Sequence, residues 1–295
     1  MKTVSRSKVY RQVALCWVHT IFGLLLMGLI VFAITMLAMR FGRVRFVMSM
    51  LEVIVLLSFI LYVLGPKLIL WAGNATVPDR ERFKNAYESI DELCRSLHII
   101  FRPRLRMMSM NGPNACAFGW GFGFNYIAFS RELYDMMSKE ELKGILAHEM
   151  AHIRCKDVWL LTILSLMTSG VSAISLWLIR ARGIFAGTIL GMLVGGILQL
   201  VTKVVFPLGI SALQQEREYC ADALAALYTG SFTPLRDALA KLSSGRGSVI
   251  VIAEDYLEKN GKFNPIDFLA AAMKGLMISH PHMDLRLKAL ESLAA

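Results

Sequence analysis

Charge is scarce in this sequence. Charged residues make up 18% of 295, where a soluble domain carries about 25%. Hydrophobic residues reach 56% and the mean hydropathy is +0.53, so the depletion argues against a freely soluble domain and for a chain that meets lipid. Cysteine is sparse too. Cys16, Cys94, Cys116, Cys155 and Cys220 are odd in number and contain no C-x-x-C pair, which excludes a disulfide framework and a cysteine-built zinc site. Unpaired thiols fit a reducing compartment and place the polar part of the chain in the cytoplasm. No recognised nucleic-acid-binding motif accompanies the formal charge of +10, so no nucleic-acid partner is expected. The charge is assigned instead to an anionic membrane surface. No small-residue cleavage site follows the first apolar run, which is longer than the roughly 7–15 residues of a signal-peptide core. It reads as an uncleaved anchor.

What the sequence has in plenty is long apolar runs. Residues 13–39, 46–70, 158–179 and 184–202 are each long enough for a bilayer, which takes about 20 residues of helix. They pair into two hairpins. The expected division is a two-span hairpin over 1–70, a first catalytic part over 71–157, a second hairpin over 158–203 and a second catalytic part over 204–295. Lys/Arg counts beside the spans put both termini and both polar blocks on the cytoplasmic side. The expectation is a multi-pass protein of the bacterial cytoplasmic membrane. In the first polar block, a helical pattern over 79–97 precedes extended segments at 105–110 and 114–129, the second broken by a glycine-rich turn at 119–123. Ser138 then caps a helix running through Ile153, with Glu141 at the capping-box position. The second block reads as helices over 211–228, 234–242, 265–277 and 284–293. The fold class is therefore an α-helical membrane protein, mostly α with a small β-sheet.

The chemistry centres on His148-Glu149-Met150-Ala151-His152. Histidines four apart lie on one helix face, so both imidazoles can reach one ion. Zinc suits paired imidazoles and keeps one position open in a catalytic site. Glu149 flanks that face and can take a proton from a water that the ion activates. A third ligand is needed. Between His152 and Gln215 the only carboxylate is Asp157, with no histidine, so a glutamate ligand must come from beyond the second hairpin. Glu216, Glu218 and Asp222 lie there on one helix. Glu218 and Asp222 share a face, so one can bind metal while the other orients a histidine. Ligands on both sides of residues 158–202 require that segment to cross the membrane twice or not at all.

HExxH, the distant Glu218-Tyr219-x-Ala221-Asp222 and the hairpin between them resemble the HtpX-like membrane metalloproteases, relatives of the CaaX prenyl proteases and of the mitochondrial stress protease OMA. Asn114-Ala115 resembles the family's strand before the active-site helix, with Cys116 where an aromatic is common. Ser279-His280-Pro281 with Arg286 resembles its C-terminal signature. The resemblance implies an α+β gluzincin-like (zincin) catalytic domain with one Zn2+ per chain on His148, His152 and Glu218. It also implies Glu149 as general base, and Asp222 then falls behind the ligands. His280 matches a position suited to stabilising the oxyanion, and the strand of Asn114, Ala115, Cys116 and Ala117 could take up an extended substrate. The implied role is membrane-protein quality control under stress. The expected partners are a peptide or unfolded membrane-protein substrate and the lipid bilayer, with a homo-oligomer or a regulatory membrane partner left open. Two other readings stand beside it, a non-catalytic peptide-binding adaptor and a CaaX-type prenyl protease. Four spans are too few for the latter's many-helix chamber. His19 and Glu52, in or near spans, carry no assignment.

Overall fold

The computed structural model describes residues 4–40, 44–97, 99–110, 112–120, 123–157, part of 159–179, 189–243 and 283–293. Helices α1 (Arg6–Arg40), α2 (Val44–Ala72) and α3 (Lys84–Ser96) come first. Strands β1 (Arg104–Met107), β2 (Ala115–Gly119) and β3 (Asn125–Phe129) follow, then α4 (Arg131–Met136) and α5 (Lys139–Arg154). After α6 (Ile189–Leu200) and a π-helical turn at Val201–Val205 come α7 (Phe206–Thr229), α8 (Thr233–Ser243) and α9 (Met283–Ser292). The chain separates into two compact units. One draws on Met1–Cys16, Pro66–Val158 and Gln214–Ala295, the other on Trp17–Gly65 and Trp159–Leu213.

In the first unit the sheet order is β1-β3-β2, with β1 parallel and β2 antiparallel to β3. Every residue of β3 is buried, which fits a central strand rich in aromatic and β-branched side chains. Ala115 and Ala117 of β2 pack against the core that includes Ile145, Leu146 and Met150 of α5, and their small side chains let that helix sit close to the sheet. Gly119 ends β2 with φ +152°, and a Cβ there would collide with the backbone of Asn125. Only glycine closes the turn into β3 this tightly.

The N-terminus of α5 is fixed by a complete capping box. The Ser138 side chain accepts from the Glu141 backbone N–H, and the Glu141 carboxylate accepts from the Ser138 backbone N–H. Gly144, inside the helix, faces the α8 backbone, where a Cβ would lie 2.7 Å from Leu235 N. The helix tolerates that glycine because α8 fills the space.

In the second unit, Leu160, Leu164, Val171, Phe206 and Leu213 form the core, and Gln199 Nε2 donates to Ser175 Oγ at 2.6 Å. Many of its other apolar side chains, including Phe22, Leu25, Phe59, Leu193 and Ile197, are exposed, as they must be if lipid is their solvent. Among the described residues two helical stretches, Arg6–Leu26 and Met192–Thr229, are long and apolar enough to cross a membrane. The chain from 189 to 229 is helical without interruption, whereas the sequence suggests a span ending near 202 and a separate helix from 211. Pro207, which has no N–H to donate, would favour a break. The π-helical turn at Val201–Val205 changes the hydrogen-bond register just before it and carries the helix through. Residues 265–277 lie outside the described residues.

Candidate active site

The site is assembled from α5, the turn after it, α7 and α9. On α5 the side chains of His148 and His152 stack edge to face, with ring centroids 4.6 Å apart. Their Nε2 atoms are 3.0 Å from each other. Glu218, from α7, brings Oε2 to 3.5 Å from His148 Nε2 and Oε1 to 3.4 Å from His152 Nε2. One ligand atom from each of these three residues falls within 4.8 Å of the others. Ligands held tetrahedrally at 2.0–2.2 Å from a divalent ion lie about 3.3 Å apart, close to the spacings seen here.

The far side of each imidazole is held by a carboxylate. His148 Nδ1 lies 2.9 Å from Asp222 Oδ1, and His152 Nδ1 lies 2.6 Å from Asp157 Oδ2. Each carboxylate is in turn gripped by a buried arginine. Arg286 of α9 reaches Asp222 with Nε (2.8 Å) and Nη2 (2.6 Å), and its Nη1 lies 3.2 Å from Glu218 Oε2. Arg217 of α7 donates Nε to Asp157 Oδ1 at 2.5 Å and Nη2 to the Cys155 carbonyl at 2.6 Å; Nη2 also meets Asp157 Oδ1. With Nδ1 of His152 hydrogen-bonded to Asp157 and Nδ1 of His148 beside Asp222, Nε2 of each ring is turned toward Glu218.

The electrostatics favour a cation. Glu149, Asp157, Glu218 and Asp222 are buried together with Arg217 and Arg286, so four formal negative charges face two positive ones. A divalent ion would balance the difference. The same excess acts on the imidazoles. Burial alone would lower His148 and His152, but the carboxylates of Asp222 and Glu218, and of Asp157 and Glu218, outweigh it and push both upward. Burial would likewise lower Arg286, and Asp222 and Glu218 reverse it.

Glu149 is buried at the helical position next to His148. Cys116 on β2 is near enough for its charge to matter: burial first, then Glu149, pushes the Cys116 thiol up to about 11. Asn114 precedes β2, tied to Ser130 through its own N–H and carbonyl. His280 lies outside the described residues. The sequence alone assigns no role to two participants, Asp157, a lone carboxylate there, and Arg217. Their signal was adjacency, Asp157 five residues after His152 and Arg217 beside Glu218.

Comparison with known proteins gives the chain's family. A family model for peptidase family M48 matches residues 80–294. The chain is 28% identical over 254 residues to the "Protease HtpX homolog" of Caldanaerobacter subterraneus subsp. tengcongensis, covering 81% of this chain and 82% of the relative. The protein of the same name in Halobacterium salinarum is 32% identical over 193 residues, 65% of each chain. The crystal structure of S. mikatae Ste24p shares the fold, with a TM-score of 0.56 at 18% identity over 93% of this chain and 66% of that one. The matched region holds both histidines, Glu149, Glu218 and both buried arginines, and the chain belongs to peptidase family M48 as a metallopeptidase.

Proposed function

We propose that this chain is a zinc-dependent endopeptidase of the cytoplasmic membrane that removes unfolded or damaged membrane proteins. The zinc ligands in this reading are His148, His152 and Glu218, in a gluzincin-type arrangement, with Asp222 behind His148. The convergence of the two Nε2 atoms on the Glu218 carboxylate carries it. Three protein ligands leave one tetrahedral position for reaction, as a catalytic rather than a structural zinc site requires.

When bound, the ion would polarise the scissile carbonyl and lower the pKa of water beside it. The chain's own residues do the rest. Glu149 accepts a proton from the attacking water as its oxygen adds to the carbonyl carbon, then passes it to the amine nitrogen as the C–N bond breaks. Asp222 and Asp157 hold the imidazoles in place while charge builds. We assign the oxyanion donor to His280, six residues before Arg286. The contact between Arg286 and Glu218 supports that placement by anchoring the following helix at the site.

Substrate would enter beside β2. That strand lies at the end of the sheet order, so its outer edge can pair with an extended chain and read backbone before side chain. Asn114, Ala115, Cys116 and Ala117 form that edge in this reading. The catalytic domain combines 71–157 with 204–295 on two membrane hairpins, facing the cytoplasm.

Purified full-length protein in detergent, given an unfolded membrane protein and separately a prenylated CaaX peptide, tests the proposal. Cleavage of the unfolded protein, abolished by a chelator and restored by zinc, supports it. Cleavage confined to the prenylated peptide would move the assignment to a CaaX-type protease. Peptide binding without cleavage would overturn it in favour of an adaptor.

A further inference from the structure

The first unit carries an exposed tip that catalysis does not use. Residues 93–131 contain five arginines, Arg95, Arg102, Arg104, Arg106 and Arg131, and no Asp or Glu, although Arg102 pairs with Asp91 at 2.5 Å and Arg131 with Asp135 at 3.5 Å. Within this basic stretch Ile100 is 87% exposed, Phe101 67% and Phe124 55%. Burial of such side chains is favourable, so water is a costly place for three in one patch. The patch is built rather than loose. The Phe101 ring lies against Gly123 (φ +84°), where a Cβ would fall 2.8 Å from Phe101 Cγ. The glycine thus ties the loop before β1 to the turn before β3.

Behind the tip is a cavity of about 320 Å³ whose lining includes Ile99, Phe101, Met150, Ile153 and Arg154. Met150, Ile153 and Arg154 are spaced three and four apart, on the face of α5 away from His148 and His152. The cavity therefore lies on the opposite side of that helix from the metal ligands. Arg154 and Lys156 are exposed at its rim, with no carboxylate partner among the described residues. Lys156 holds φ +56°, a left-handed conformation unfavourable for a non-glycine residue, at a helix end where glycine is usual. Two residues later the chain leaves this unit at Val158 and enters the apolar segment 158–179.

We infer that this tip is a bilayer-contact surface of the catalytic unit: Ile100, Phe101 and Phe124 enter the acyl–headgroup boundary, and Arg154 and Lys156 meet anionic headgroups. Charge complementarity selects this occupant: Arg154 and Lys156, exposed beside the apolar tip, suit an anionic headgroup layer. The start of an apolar segment two residues after Lys156 points the same way. The inference rests on the membrane reading of the chain, so its test carries a separate control for insertion.

Nitroxide labels at Phe101→Cys, Phe124→Cys, Glu140→Cys and Leu25→Cys, each in the full chain, are compared in vesicles of phosphatidylcholine with and without phosphatidylglycerol. Signal from the unsubstituted chain is subtracted. Glu140 is exposed at the other end of α5, about 20 Å away by helical rise, and Leu25 is exposed on α1. A high oxygen-to-nickel accessibility ratio at Leu25→Cys establishes insertion. The expected result is a ratio at 101 and 124 several-fold above that at 140, rising with phosphatidylglycerol and falling in an Arg154→Glu/Lys156→Glu background. A water-like ratio at 101 and 124 beside a lipid-like ratio at 25 overturns the inference. Immobilisation of these labels by an unfolded peptide in detergent, with water-like ratios in vesicles, also overturns it and makes the patch a peptide site.

Discussion

Asp157 stands between His152 and Arg217: its Oδ2 lies 2.6 Å from His152 Nδ1 and its Oδ1 lies 2.5 Å from Arg217 Nε. The same chain of contacts repeats on the other histidine, from His148 through Asp222 to Arg286. Each imidazole is therefore aimed by a carboxylate that an arginine has fixed. The two arginines come from different helices, so α7 and α9 both hold α5 in its working position.

Loss of the orienting carboxylate should loosen the metal, and because it also strips the buried Arg217 of its partner it should cost stability as well. Asp157→Asn is expected to lower metal affinity about 10–100-fold, read by competition with a chelating dye. Arg217→Met leaves the buried Asp157 carboxylate uncompensated and should destabilise by about 3–5 kcal/mol, read by thermal or denaturant unfolding. Unchanged metal affinity in Asp157→Asn would mean that His152 is positioned by packing alone.

Gly144 offers a test of how α5 and α8 meet. In an isolated helix, alanine would gain about 1 kcal/mol over glycine. Here its Cβ would lie 2.7 Å from Leu235 N and 2.9 Å from the Pro234 carbonyl carbon, backbone atoms that cannot swing aside. Overpacking costs about 1–3 kcal/mol, so Gly144→Ala should lower Tm. Gly209→Ala, in α7 with nothing within 4 Å of the added Cβ, should leave Tm unchanged or raise it.

The capping box should show in the pH dependence of stability. Burial acts first to raise Glu141, but the hydrogen bonds from Lys241 and from Ser138 outweigh it and hold the carboxyl below its ordinary value. A carboxyl lowered by folding contributes stability above its unfolded pKa and loses it as pH falls through the folded one. The stability gap between wild type and Glu141→Gln should be full above about pH 4.3, the ordinary glutamate value, and close as the solution is acidified. A gap that stays constant would remove this role from the Glu141 charge.

Local relations were the legible part of this sequence. The capping box and the i, i+4 histidines are set by neighbours a few residues apart. Glu218 and Asp222 could be singled out because Asp157 is the only carboxylate between His152 and Gln215 and the next three share one helix. Tertiary pairings were not legible in the same way. Nothing local distinguishes Arg217, buried on Asp157, from a solvated or headgroup-facing arginine. The uninterrupted helix through Pro207 depends on a π-helical turn that periodicity does not register. The N-terminal stretch of α1 likewise gave no sign that Lys8 would reach the Ser292 carbonyl on α9.

The central claim is that Glu149 performs proton transfer at a metal held by His148, His152 and Glu218. Glu149→Gln in the detergent-solubilised full chain, compared with wild type for bound zinc and for cleavage of an unfolded membrane protein, tests it most directly. The account predicts equal zinc in both proteins, with cleavage in the wild type only. Cleavage surviving in Glu149→Gln at comparable rate would contradict it and place the catalytic centre elsewhere.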